Sequence, residues 1–270
     1  MADPARLSLN TVTLREQWTL AQCIEGCARR GIPFIDPWRD KLAELGLAKA
    51  IRHFRDAGVR PSGVCRAGLF TTGDPAAIRD ENRRAIDETA ALGADCLVTI
   101  PGGLPTGSKD LPAARALSAD ALADLLPYAR AAGVTLALEP LHPMTAGDRA
   151  VWSTMDQVLD LCDALGDGIG IALDVYHIWW DPRLAEGIAR AAGRIAAFHV
   201  CDWKIPTTDT ALDRGMMGDG VIDIPAIAAM VEAAGYAGPI GVEIFSAADW
   251  WRRDPEDVVT TVKERFASCV

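Results

Sequence analysis

Short apolar segments alternate with longer segments of helical period about eight times along the chain, a pattern that predicts alternating strands and helices. The longer segments include AAIRDENRRAIDETAALG, SADALADLLPYARAAG and PAIAAMVEAAG, and each ends in glycine, which is typical of a helix C-cap. The strand candidates are RLSLNT, GIPFIDPW, VRPSGVCRAG, DCLVTIP, VTLALEP, IGIALDVYH, IAAFHVCDW and PIGVEIF.

Eight such units in 270 residues predict an α/β fold, a (β/α)8 TIM barrel. No Gly/Ser-rich or low-complexity stretch interrupts the pattern, so residues 1–270 are predicted to form a single domain. A doubly wound open sheet is the alternative architecture, because a count of units from one sequence is uncertain by about one or two.

Composition narrows the choice of partners. The chain has 27 Lys and Arg against 37 Asp and Glu, a net charge of −10, whereas nucleic-acid binding requires a basic face. A small solute is therefore the expected partner.

No signal-peptide pattern or membrane-length apolar run occurs, and the seven cysteines form no CxxC pair, so we expect a cytoplasmic protein with reduced thiols and no membrane contact. Assembly into a homo-oligomer is left open.

Metal-ligand residue types end four consecutive predicted strands. Active sites of barrels collect at the carboxyl ends of the strands, so these four side chains can converge on one point. Along the last strand, alternation puts the acid on the same face as Gly241 and Phe245, away from the helix layer. The four residues are Glu139, Asp174, His199 and Glu243.

Three carboxylates and one imidazole would repel one another in a bare cleft, but they make a good site for one divalent cation. An oxygen-rich set with one histidine favours Mn²⁺ or Mg²⁺, and Co²⁺ and Zn²⁺ are also compatible with it. A single strand-end acid is more often a helix N-cap or a loop anchor. The metal prediction therefore depends on all four residues together.

Several motifs resemble the xylose isomerase-like TIM barrel family, a group of sugar phosphate isomerases and epimerases. The most specific are ALEPLHP, LDVYH, FHVCD followed by GDGVID, and VEIF. The resemblance implies that Glu139, Asp174, His199 and Glu243 bind one divalent ion. It leaves the substrate open, because the superfamily includes epimerases, aldose-ketose isomerases, dehydratases and endonucleases.

The resemblance also implies a mechanism, in which a proton moves next to a carbonyl through an enediolate held on the metal. Glu139 and Glu243 would act as base and acid on opposite sides of this intermediate. His177, three residues after Asp174, would polarise a substrate oxygen. The alternative for His177 is a packing or capping role beneath the neighbouring tryptophans.

Four further residues are predicted to contact substrate. His142 follows the strand that ends in Glu139, and Arg214 precedes a Gly-rich turn, where it could bind a developing oxyanion. Lys204 lies nearby, and Trp38 could stack on the C–H surface of a sugar ring. Asp202 is a candidate outer partner of His199, with a solvated loop as the alternative.

The sequence thus predicts a metal-dependent isomerase or epimerase of a sugar or keto-sugar. A lyase on the same scaffold is the alternative, either an inosose-type dehydratase or an enzyme that eliminates a group from a 3-keto-glycoside. Such a lyase would use the same enolate to expel a leaving group. DNA repair is disfavoured, because FIDPW and GVCRAG offer no extra histidines for a trinuclear site.

Overall fold

A nearly closed parallel sheet forms the centre of the computed structural model, which describes residues 2–270. Its nine strands follow the order β3-β2-β1-β11-β8-β7-β6-β5-β4, and β9 and β10 form a separate antiparallel pair. The strands are β1 (Leu7–Asn10), β2 (Phe34–Asp36), β3 (Arg60–Pro61), β4 (Val64–Gly68), β5 (Cys96–Ile100), β6 (Thr135–Leu138), β7 (Ile169–Asp174), β8 (Ile195–Val200), β9 (Asp202–Trp203), β10 (Arg214–Gly215) and β11 (Ile240–Val242).

The two end strands of this sheet follow each other in the chain, with only residues 62–63 between them. A parallel bridge between Trp38 and Cys65 links the chain after β2 to β4, so the sheet curves round to near closure. The predicted (β/α)8 barrel is confirmed, and each predicted strand segment contains an observed strand.

Helices follow the strands and cover the outside of the barrel. They are α1 (Leu20–Arg30), α2 (Arg39–Leu45), α3 (Leu47–Ala57), α4 (Pro75–Leu92), α5 (Leu111–Ala131), α6 (Met155–Leu165), α7 (Val175–Ile178), α8 (Leu184–Arg190), α9 (Ile224–Ala233) and α10 (Pro255–Cys269). Short 3-10 helices span Pro4–Arg6, Thr11–Leu14, Pro143–Thr145 and Trp250–Arg252. No helix within residues 2–270 combines the length and apolar character needed to cross a membrane.

Caps explain where several helices begin and end. Helix α4 ends at Gly93, whose φ of 68° is left-handed, as the glycine pattern predicts. Helix α5 begins seven residues before the predicted segment, because the Asp110 carboxylate accepts a hydrogen bond from the Ala113 N–H. The segment IGIALDVYH is not all strand. It turns into α7 after Asp174, whose carboxylate accepts a 2.9 Å hydrogen bond from the Tyr176 N–H.

Small side chains fill part of the barrel interior, whereas larger ones pack between the strands and helices. Ala137, Ala172 and Ala197 form an inner cluster with Val98 and two cysteines. The side chains of Ile240, Val242 and Ile244 belong to the larger hydrophobic core, which confirms the predicted alternation along the last strand. All seven cysteines are free, and six are buried.

Candidate active site

The four predicted ligand residues meet at the carboxyl end of the barrel. Asp174 lies directly opposite His199 in the register of β7 and β8. Glu139 and Glu243 each follow a strand by one residue, and their N–H groups continue the parallel ladder to Thr99 and Val200. One ligand atom from each of Glu139, His199 and Glu243 lies within 4.8 Å of the others. Asp174 lies within the same limit of Glu139 and His177.

Burial makes the negative charge of these carboxylates costly. Burial first, and then the charges of Glu243 and Asp174, raise the pKa of Glu139 to about 8. Burial also raises the pKa of Glu243, although His199 and Arg214 act in the opposite direction. For Asp174 the balance is reversed, because Arg214 and His177 outweigh its burial and lower its pKa. The site as a whole favours a bound cation.

The donor set fits a divalent metal ion. The Nδ1 atom of His199 is buried without a hydrogen-bond partner among residues 2–270, although a buried polar atom is normally paired. A ring nitrogen of His199 lies within 4.8 Å of carboxylate oxygens of Glu139 and Glu243, which are hard ligands. A metal ion bound to Nδ1 and to the carboxylates would give the nitrogen a partner and neutralise the negative charge. Glu139, Asp174, His199 and Glu243 are therefore the residues that would hold an ion.

The opposite edge of the His199 ring faces Asp36, at the end of β2. The Nε2 atom of His199 lies 3.7 Å from Oδ2 of Asp36, whose carboxylate also accepts hydrogen bonds from Ser8 and Ser62. A Cβ at Gly241 would lie 2.4 Å from this Oδ2 and 2.7 Å from Cδ2 of His199. Glycine at this position therefore leaves room for the approach of Asp36 to His199.

Asp202, the candidate outer partner of His199, has a different role. Its carboxylate accepts hydrogen bonds of 2.8–3.0 Å from the N–H groups of Gly218, Gly220 and Ile222. A Cβ at Gly220 would lie 2.1 Å from the carbonyl oxygen of Trp203. Asp202 thus fixes the GDGVID turn, and the carboxylate near His199 comes from Asp36.

Arg214 carries a positive charge into the ligand cluster. Its Nη1 atom donates to Oδ2 of Asp174 at 2.7 Å and to Oε2 of Glu243 at 3.3 Å. The guanidinium also lies 4.3 Å from the ring centre of Tyr176 and 4.7 Å from that of Phe245. These contacts hold a predicted oxyanion-binding group at the edge of the cavity.

His177 is buried and neutral. Burial lowers its pKa to about 3, although Asp174 acts in the opposite direction. The His142 N–H donates to Nδ1 of His177 at 3.2 Å, which makes Nδ1 the acceptor and leaves the proton on Nε2. Nε2 lies 3.6 Å from Oδ2 of Asp174 and 3.3 Å from Nη2 of Arg214, and only the carboxylate of these two neighbours can accept its proton. The ring can therefore offer an N–H donor at this point.

A cavity of about 230 Å³ opens beside these groups. Its volume is below the roughly 300–1,000 Å³ that drug-sized ligands occupy, which favours a small substrate. The residues that line it are Arg15, Trp38, Cys65, Arg66, Val98, Ile100, Glu139, Leu141, Thr145, Arg149, His177, Thr210, Ala211, Arg214, Glu243 and Phe245.

The predicted substrate contacts divide into two groups. Trp38, His177 and Arg214 are part of this lining, whereas His142 and Lys204 lie outside the lining that residues 2–270 form. The His142 ring stacks on Trp203, with ring centres 5.2 Å apart. The Lys204 ammonium pairs with the Asp213 carboxylate.

Sequence analysis misses three arginines of the lining and one amide. Arg15, Arg66 and Arg149 have no periodic pattern that marks them, although Arg66 lies within a predicted strand, the element that supplies the ligands. The side-chain amide of Asn10, at the end of β1, donates to Oε1 of Glu243 at 2.9 Å. Its place at a strand end is the one signal that could have found it.

The loops after β5 and β6 are joined through their backbones. A Cβ at Gly103 would lie 2.4 Å from the carbonyl carbon of Asp148. The Leu104 N–H donates to the Gly147 carbonyl at 2.8 Å. This contact fixes the segment that carries Arg149 against the rim of the cavity.

Fold and site together define a (β/α)8 barrel with a buried polar centre at the carboxyl ends of its strands. The profile of the xylose isomerase-like TIM barrel family matches residues 22–261, and the chain therefore belongs to that family.

Comparisons with individual proteins agree with this assignment. Inosose isomerase of Halalkalibacterium halodurans is 25% identical over 281 aligned residues, 98% of this chain and 96% of that protein. L-ribulose 3-epimerase of Mesorhizobium japonicum is 33% identical over 132 residues, 48% of this chain and 40% of that protein. The crystal structure of protein SMc04130 of Sinorhizobium meliloti 1021 is 51% identical, with a TM-score of 0.97 and 99% of each chain covered. The two named enzymes are an isomerase and an epimerase, which supports an enzyme of this kind.

Proposed function

We propose that the protein is a divalent-metal-dependent isomerase or epimerase of a sugar or keto-sugar. One observation carries the proposal: two buried glutamates, Glu139 and Glu243, lie with His199 around one point beside a small cavity. Proton removal next to a carbonyl, followed by proton return, requires a base and an acid at one substrate carbon. The shared class of the two named relatives supports this reaction.

The side chains of the site have separable tasks in this reaction. Glu139, whose pKa is about 8 in the protein without metal, and Glu243 would exchange the proton at the reacting carbon. The Asn10 amide donates to Oε1 of Glu243 and so fixes the direction of that carboxylate. His177 would donate through Nε2 to a substrate oxygen, and Arg214 would stabilise negative charge that develops there.

Glu139, Asp174, His199 and Glu243 would hold the metal ion. The ion would supply Lewis-acid polarisation of the substrate carbonyl. Mn²⁺ or Mg²⁺ suits the three carboxylates and one imidazole, and Co²⁺ and Zn²⁺ accept the same donors.

Deuterium incorporation tests the proposal. The Mn²⁺-loaded enzyme is incubated in D₂O with a panel of ketoses, inososes, keto-acids and 3-keto-sugars, and products are analysed by mass spectrometry and NMR. We expect deuterium at one carbon of the true substrate, with the mass otherwise retained. Glu139→Gln and Glu243→Gln should reduce this exchange by orders of magnitude at measured metal occupancy, whereas Glu25→Gln on the surface of α1 should not.

Two results would count against the proposal. Loss of water or of an aglycone would assign the enzyme to the lyase alternative. Turnover without solvent deuterium in the product would exclude a proton that exchanges through Glu139 and Glu243.

A further inference from the structure

Positive charge is concentrated in the lining of the cavity, although the whole chain has a net charge of −10. Four arginines belong to the lining that residues 2–270 form, together with two carboxylates, Glu139 and Glu243. The bound divalent ion of the proposed function would use those carboxylates and add further positive charge. A neutral sugar gives no reason for such an excess, which favours a negatively charged solute in this cleft.

Two of the four arginines already have acidic partners. Arg214 pairs with Asp174 inside the ligand cluster, and Arg15 pairs with Asp40 at the edge of the cavity. Arg66 and Arg149 differ, because no carboxylate of residues 2–270 lies within 4.0 Å of either guanidinium. Their hydrogen-bond donors remain available to a ligand.

These two arginines line the same cavity, and each has a contact that helps to fix its position. The guanidinium of Arg66 lies 5.5 Å from the ring centre of Trp38, which it faces from the middle of β4. Arg149 follows the short helix after Glu139, where its N–H donates to the Thr145 carbonyl at 2.9 Å. Burial, and after it the charge of Arg149, lowers the pKa of Arg66, with Glu139 acting in the opposite direction. An anion between the two guanidinium groups would relieve this repulsion.

We propose that Arg66 and Arg149 bind a carboxylate or phosphate group on the non-reacting end of the substrate. This inference rests on the proposed function, since it places the reacting carbon at Glu139 and Glu243 and the anion at two arginines of the same cavity. Arginine suits the task because its planar guanidinium donates two parallel hydrogen bonds to either anion. The contact with the Trp38 ring would hold the Arg66 guanidinium in one orientation toward the cavity.

Calorimetric titration of the Mn²⁺-loaded protein tests the proposal without any need for turnover. Three probes share one polyol chain: D-glucitol is neutral, D-gluconate adds a carboxylate, and D-glucitol 6-phosphate adds a phosphate. We expect at least one charged probe to bind about tenfold or more tighter than D-glucitol, as charge-assisted hydrogen bonds to an anion would give. The charged probe whose affinity exceeds that of D-glucitol by the larger factor shows whether the site prefers a carboxylate or a phosphate.

Variants of the arginines show whether the anion binds to them or to the metal ion. In the Arg66→Met/Arg149→Met double variant, the advantage of the charged probe over D-glucitol, both measured on the same variant, should disappear, while the metal content stays that of the wild type. Arg149→Met alone removes an exposed side chain and should lose part of the advantage. Arg60→Met is the matched control, because Arg60 also faces an aromatic ring, that of Phe34, but lies outside the cavity lining. It should retain the full advantage.

The proposal is overturned if neither charged probe binds better than D-glucitol to the wild type. It is also overturned if the advantage persists in the double variant, since the anion would then bind the metal or another group. Neither result depends on deuterium exchange, so a failure of the isomerase proposal and a failure of the anion site can be told apart.

Discussion

The backbone N–H of His142 donates a 3.2 Å hydrogen bond to Nδ1 of His177. A residue at the end of one strand unit therefore sets the tautomer of a side chain on the next unit. The Nε2 proton of His177 then has Oδ2 of Asp174 as its nearby acceptor, at 3.6 Å, whereas Nη2 of Arg214, 3.3 Å from Nε2, can only donate. A histidine that merely packed beneath the tryptophans would need no such arrangement.

We expect His177→Phe to lower kcat by about 10²–10³-fold, because it removes a donor aimed at a developing oxyanion. Steady-state kinetics with metal content measured in parallel tests this expectation. His53→Phe on α3, at the outside of the barrel, serves as the control. A kcat for His177→Phe equal to that of the control would restrict His177 to packing.

Metal binding should depend on His199. His199→Asn shortens the side chain whose buried Nδ1 lacks a partner within residues 2–270, and we expect metal content to fall about 10-fold or more. Elemental analysis of protein purified without chelator measures this directly. Wild type and His53→Asn should each hold one divalent ion, lose activity with a chelator and regain it with Mn²⁺ or Co²⁺. A metal-free wild type that also fails to take up these ions in titration would contradict the site.

Arg214→Met should destabilise the protein without metal by about 3–5 kcal/mol, because it leaves Asp174 and Glu243 buried without their charged partner. Added Mn²⁺ should recover part of this loss, so the variant should gain more stability from metal than the wild type does. Urea unfolding with and without Mn²⁺ gives both quantities. Arg55→Met, at an exposed pair with Asp56, is the control. Equal stabilisation of both proteins by Mn²⁺ would show that Arg214 does not compensate the carboxylates.

Asp213 should make stability depend on pH. Its burial tends to raise the pKa, but hydrogen bonds from Lys204 and Thr208 outweigh burial, so the pKa lies below its ordinary value. The stabilising contribution of such a group is present above the unfolded-state pKa of about 3.9 and is lost as pH falls through the lower folded-state value.

Asp213→Asn should therefore lower the free energy of unfolding at pH 7, and the difference from wild type should shrink below about pH 4. Denaturant unfolding between pH 7 and 3 measures it, with the exposed Asp120→Asn on α5 as the control. A difference that stays constant over this range would assign the effect to something other than the charge of Asp213.

Much of the barrel and its ligand set could be predicted from local patterns. Glu139, Asp174, His199 and Glu243 each end a short apolar run, and the parallel sheet brings the ends of such runs to one edge. Each ligand is thus marked by its own segment. The barrel only has to close for the four to meet.

The partners of these ligands could not be predicted in the same way. Asp202 lies three residues after His199, whereas Asp36 reaches its ring from β2, on the far side of β11 and β1. Proximity in sequence therefore favours the wrong aspartate. Arg66 and Arg149 show the same limit, because they line one cavity only when β4 and the loop after β6 come together in the fold.

The backbone contact between Gly103 and Asp148 has a consequence for how this barrel can diverge. The two loops cannot change independently, since any side chain at position 103 displaces the turn that leads to Arg149. A change of substrate preference by insertion or exchange of one loop would need a matching change in the other. The two loops form a single exchangeable unit, and transfer of both together is the route by which a relative's preference could be grafted onto this scaffold.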